Sequence, residues 1–151
     1  TESVPLIVGI GEALLNVEKG RESEVIRITG LRDFLIKSIN KNIPNAVLNG
    51  HVTNRLPNNV HVSIPHIEGE SITLMLDELG IEISTGSACS SHDLEVSHVL
   101  SAIGQDKELM HGSIRFSLGK ENTKEELEYV VSVLVEIVNK LLGISSLTVK
   151  I

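Results

Sequence analysis

Aromatic side chains are nearly missing from this chain: it has no tryptophan, and only Phe34, Phe116 and Tyr129 carry benzenoid rings. Single-stranded nucleic-acid binders need stacking platforms, so that class is set aside. Positive charge is also short. Thirteen Lys and Arg face twenty Asp and Glu, for a net charge of −7, which opposes a phosphate backbone as partner. No stretch reaches the roughly 18 consecutive apolar residues of a membrane span, and none has the basic-then-apolar pattern of a signal peptide. Cysteine occurs once, at Cys89. That excludes an internal disulfide and a zinc cage of cysteines, and leads us to expect a reducing, cytoplasmic setting without nucleic-acid or membrane partners.

What is present is aliphatic. Apolar residues make up 41% of the 151 and charged residues 22%, the balance of one globular domain able to bury a core. The chain opens at Thr1 rather than Met, as expected for a fragment, a processed product or an excised domain.

Apolar residues from Val4 to Val17 and again from Glu22 to Asn40 recur at three- and four-residue spacing, which predicts two helices broken at Gly20 or one long bent helix. Ala46 to Asn49 is a brief β signal. Val60-His61-Val62-Ser63-Ile64 and Ser113-Ile114-Arg115-Phe116-Ser117-Leu118 alternate as half-buried strands, and Ile81 to Ser84 reads as another. Compact helices are expected from Ile72 to Leu79 and from Leu94 to Ile103, each stopped by a glycine. Thr123, with Glu126 three residues on, forms a capping box ahead of an apolar helix reaching Leu141. The expected fold is α+β, a small, mostly antiparallel sheet with helices packed on one face.

The single thiol lies in Ile83-Ser84-Thr85-Gly86-Ser87-Ala88-Cys89-Ser90-Ser91. Small, hydroxylated neighbours predict a loop with an accessible sulfur, and a free cysteine with a pKa of about 8.5 supplies some thiolate near neutrality. On these residues alone, a reactive thiol and an incidental loop cysteine both stand. His92 is close enough in sequence to influence the thiolate. Arg115 is open in the same way: it is either a solvated strand charge or a fork of donors for a carboxylate, on a face shared with Ser113 and Ser117. The six histidines show no metal-helix spacing, so no metal is expected.

Together these residues resemble a family. The run Ser84 to Ser91, Leu94-Glu95, and Val99-Leu100-Ser101-Ala102-Ile103-Gly104 is similar to the active-site loop and following helix of the cysteine desulfurases of the NifS/IscS group. His111 to Gly119, Asn122 to Leu127, Pro57 to Ser63, Glu68 to Ser71 and Thr1 to Ala13 fit further segments, so the resemblance covers nearly the whole chain. It implies the C-terminal small domain of a class-V aminotransferase-type enzyme of the aspartate-aminotransferase fold, dependent on pyridoxal 5'-phosphate. Residues 1–151 would be one domain, with 1–20 as the segment leaving the large domain.

The resemblance also implies chemistry. Such enzymes convert L-cysteine to L-alanine and hold the sulfur as a persulfide for iron–sulfur cluster assembly and other acceptors. Cys89 would be the nucleophile and Arg115 the substrate-carboxylate ligand. Thr1 would reach the cofactor phosphate of a neighbouring subunit in a homodimer. The family's cofactor lysine sits in a Ser-x-His-Lys type motif, and none of the eight lysines here has that setting. The isolated chain is therefore expected to be inactive without a large cofactor-binding domain. The tail after Gly143 is shorter than the one some relatives use to dock their scaffold protein, which puts docking by that route in doubt. The rival readings are a standalone persulfide carrier or redox-sensing module, and a purely structural domain.

Overall fold

The structure, a computed structural model, describes residues 1–85 and 97–144. Pro5 stands in the first turn of α1 (Val4–Asn42), where its missing N–H costs no helical bond. The helix runs 39 residues, about 58 Å at 1.5 Å per residue, and ends before Pro44. Of the two readings of this stretch, the single long helix holds, and no break occurs at Gly20. A helical glycine costs only about 1 kcal/mol relative to alanine, and its neighbours Glu18, Lys19, Arg21 and Glu22 are good helix formers. Pairs such as Glu18–Arg21 at 3.1 Å add a little further support.

The two halves of α1 meet different surroundings. Residues 1–23 are exposed throughout. The buried positions Ile28, Arg32, Leu35, Ile36 and Ile39 form one stripe on the C-terminal half. That stripe packs against a three-stranded antiparallel sheet of β1 (Val47–Leu48), β2 (Asn59–Ser63) and β3 (Ser113–Ser117), in the order β1-β2-β3. Period-two geometry sends Val60, Val62, Ile114 and Phe116 to the helical side. There they meet Ile72 and Leu76 of α2 (Gly69–Asp77) and Leu134 and Ile137 of α5 (Lys124–Ile144). The helices thus cover one face of the sheet, as expected.

The capping box is formed at α5: Glu126 N–H donates to Thr123 Oγ1 at 3.2 Å and Thr123 N–H to Glu126 Oε2 at 3.0 Å. Two short helices, α3 (His98–Ala102) and α4 (Lys107–Met110), precede β3. The second went unforeseen because four residues hold too little periodicity; it is opened by Asp106, whose side chain accepts from Glu108 N–H at 2.9 Å. The strand expected at Ile81–Ser84 contracts to one bridge at Ser84. Ile81 N–H instead closes the end of α2 through Leu76 O at 3.0 Å.

Gly112 holds this layout together. Its carbonyl accepts from Ile64 N–H at 2.9 Å, and a Cβ on it would overlap the Ile64 carbonyl and lie 2.8 Å from that of Ile67. Both obstacles are backbone and cannot step aside. Gly112→Ala is expected to lower unfolding free energy by about 2–4 kcal/mol in urea denaturation. Gly30→Ala, on an open helical face with nothing within 4 Å, should raise it by about 0.5–1 kcal/mol.

Candidate functional site

Arg115 is the middle residue of β3, and its neighbours Ile114 and Phe116 are buried in the core. Its own side chain therefore leaves on the helix-free face, where it is half-buried. On one side its backbone exchanges both bonds with Ser84: Arg115 N–H to Ser84 O at 2.6 Å and Ser84 N–H to Arg115 O at 3.1 Å. On the other side its cross-strand partner is His61. Asn49 N–H donates to His61 O at 2.8 Å, so the peptide groups of His61 face β1. His61 and Arg115 are consequently a non-hydrogen-bonded pair, the kind in which Cα atoms approach to about 4.5 Å and side chains are closest.

The same face carries a polar layer. Asn49 and Ser63 are both buried, and Asn49 Nδ2 donates to Ser63 Oγ at 2.9 Å. Ser113 Oγ stands 3.5 Å from Thr85 O. Arg55, from the turn before β2, donates through Nη2 to Asn49 O, and Arg32 reaches the carbonyl of Leu56 at 3.2 Å while pairing with Asp33 at 2.7 Å. Burial and the nearby charge of Arg32 lower the Arg55 pKa. His61 is pushed down to about 4, first by burial and then by Arg115 and Arg55. Its ring is neutral at physiological pH. Arg55 Nε and Nη1 and His61 Nε2 are buried without a hydrogen-bond partner among the described residues.

Of the residues singled out in the sequence, Arg115 occupies this polar face, Ser113 is buried beside it and Ser117 is exposed. Cys89 and His92 lie outside the described residues. Ser84, bonded to Arg115, precedes Cys89 by five positions in the chain. Thr1 is exposed ahead of α1, about 40 Å along the helix from the first buried position, Ile28, and does not join Arg115. His61, Arg55, Asn49 and Ser63 were not foreseen as one group, because only strand pairing brings them together. A polar residue at every second position of the Val60–Ile64 strand was the available signal. The described residues contain no group of three His, Cys, Asp or Glu placed to hold a metal, and none of their helices is long and apolar enough to cross a membrane.

Comparison with known proteins gives consistent results. The family model for aminotransferase class-V matches residues 1–130. The chain is 52% identical over 145 residues to the cysteine desulfurase IscS of Dictyoglomus turgidum, covering 96% of this chain and 37% of that protein. It is 50% identical over 150 residues to IscS of Methanosarcina thermophila, covering 99% and 37%. A solved NifS-like protein superposes with a TM-score of 0.80 at 30% identity, over 93% of this chain and 35% of that one. The chain thus spans little more than a third of the length of these relatives. An α+β fold shared with NifS-like structures and a family match from residue 1 to residue 130 lead to one conclusion: the chain belongs to the class-V aminotransferase family.

Proposed function

We propose that this chain acts as the small C-terminal domain of a cysteine desulfurase, with Arg115 holding the carboxylate of L-cysteine and Cys89 receiving its sulfur. The observation that carries this reading is the seat of Arg115. A half-buried arginine, its backbone fixed between β2 and Ser84, carries a bidentate fork at the root of the segment bearing the single thiol. Five residues of chain reach at most about 18 Å, a length of tether compatible with sulfur transfer from a small amino acid bound at Arg115. The net change is L-cysteine plus the Cys89 thiol giving L-alanine plus a Cys89 persulfide, which balances without an external oxidant. Iron–sulfur assembly proteins or other acceptors, in a cytoplasmic setting, would then take the sulfur.

The family depends on pyridoxal phosphate, and the fit of that group can be tested against the residues here. All seven described lysines are exposed, and none is enclosed near Arg115 to form an imine. The described residues do not by themselves fit the cofactor, and no step through it is derived. We assign its binding to a large domain beyond these residues, with the parent enzyme a homodimer and Thr1 reaching the partner's cofactor phosphate. The exposed half of α1 supports that assignment. Val4, Leu6, Ile7, Val8, Ile10, Leu14, Leu15 and Val17 are 56–69% exposed, an apolar surface larger than monomers usually leave open. The large domain is the partner that would cover it.

Two outcomes are expected. Incubated with L-cysteine and pyridoxal phosphate, the isolated chain should form no L-alanine and gain no mass. With the large domain of a related desulfurase present it should gain one sulfur atom, and Cys89→Ala should gain none; alanine production by the chain alone overturns the reading. In the holoenzyme, Arg115→Ala should raise KM for L-cysteine about a hundredfold, and Arg115→Lys, which keeps the charge but loses the fork, about tenfold.

A further inference from the structure

Three buried nitrogens without partners among the described residues, at and just before β2, need an explanation, since buried polar groups are normally satisfied. They are Nε and Nη1 of Arg55 and Nε2 of His61. The two on Arg55 are donors only, so what is missing there is an acceptor. Among the described residues no free carboxylate is placed to serve: Asp33, the acidic group acting on Arg55, is held by Arg32 at 2.7 Å. With Arg115 standing opposite His61 in a close cross-strand pair, the acceptor that fits is an anion arriving from outside.

We propose that His61 is a second binding residue for the carboxylate held at Arg115, donating from Nε2 to one of its oxygens. This rests on the reading of Arg115 given above. The register dictates the pairing: residues 61 and 115 share the helix-free face, their peptide bonds point away from each other, and no side chain of either strand stands between them. A carboxylate offers about four lone-pair sites, more than one guanidinium fork uses, so a third donor has a place to bind.

The state of the ring suits the task. The charged groups acting on it are Arg115 from β3 and Arg55 from the turn before β2, and with burial they hold it neutral. A neutral ring donates without adding a third positive charge beside two guanidiniums. A protonated one would repel the Arg115 fork it is meant to assist. Arg55 is in turn anchored through Asn49 O, so its field on the ring is fixed by the backbone.

The test uses the pyridoxal-phosphate holoenzyme carrying this chain. His61→Leu, which keeps bulk and removes the donor, should raise KM for L-cysteine about tenfold with kcat within about twofold, as expected for one hydrogen bond to a charged group. His61→Gln, whose amide nitrogen falls near the position of Nε2, should recover most of the loss. Inhibition by cysteamine, which has the amine and thiol but no carboxylate, should be unchanged in both. If His61→Leu leaves KM unchanged while Arg115→Ala raises it, the His61 proposal fails, the orphan nitrogen is served by water, and the reading of Arg115 survives. If Arg115→Ala also leaves KM unchanged, the carboxylate reading falls and the shared site with it. A His61→Leu enzyme that loses cysteamine and L-cysteine binding equally, without rescue by Gln, shows a structural role and overturns the proposal.

Discussion

The register between β2 and β3 is the constraint on which the rest depends. Five consecutive pairs, from Asn59 with Ser117 to Ser63 with Ser113, place Val60, Val62, Ile114 and Phe116 against the helices and Arg115 away from them. A slip of one residue would exchange the two sets. Each apolar side chain turned outward loses about 1.5–3 kcal/mol of burial, and an unpaired guanidinium driven into the core costs several more. No nearby alternative pairing competes with that. Because the register is so strongly specified, everything hung from β3 is specified too: the Ser84 bridge, the contact of Ser113 with Thr85, and the closeness of His61 to Arg115.

Much of this was legible in the chain, and what was not has physical causes. Alternation at Val60–Ile64 and Ser113–Leu118 marked both long strands, because one face of each is buried and the other polar. The Thr123–Glu126 capping box marked the start of α5 for an equally local reason. Gly20 left two readings open, and the continuous one holds because a glycine among strong helix formers weakens a helix without ending it. Ile81–Ser84 alternates like a strand, yet its first N–H is used to finish α2, leaving Ser84 alone to pair. At the site, Arg115 stood out because a charge in an apolar strand is conspicuous. His61 and Arg55 did not, since a histidine in a half-buried strand and an arginine in a turn are ordinary until pairing sets them beside Arg115.

The long helix shows how one sequence pattern serves two surroundings. From Ile28 onward its apolar stripe closes the core over the sheet, and Arg27 bonds the carbonyls of Lys120 and Asn122 at 2.8 Å each, just where the packed half begins. Before that point the same spacing of aliphatic residues faces water. Helices within proteins gain most of their stability from packing of an apolar face. A helix that carries such a face, uncovered by any described residue, is consistent with the large domain proposed above as its partner.

The charge balance of the molecule adds a last step. A net charge of −7 disfavours polyanions at long range, while Arg55 and Arg115 make the polar face locally positive. Screening confines the general repulsion to about 8–10 Å at physiological salt. A zwitterion with no net charge, such as a free amino acid, escapes that repulsion and still meets the guanidinium fork at contact distance. Under the proposed reading, the opposed signs of this chain and of this one face would favour a carboxylate carried on a neutral zwitterion over ligands whose charge extends beyond the site.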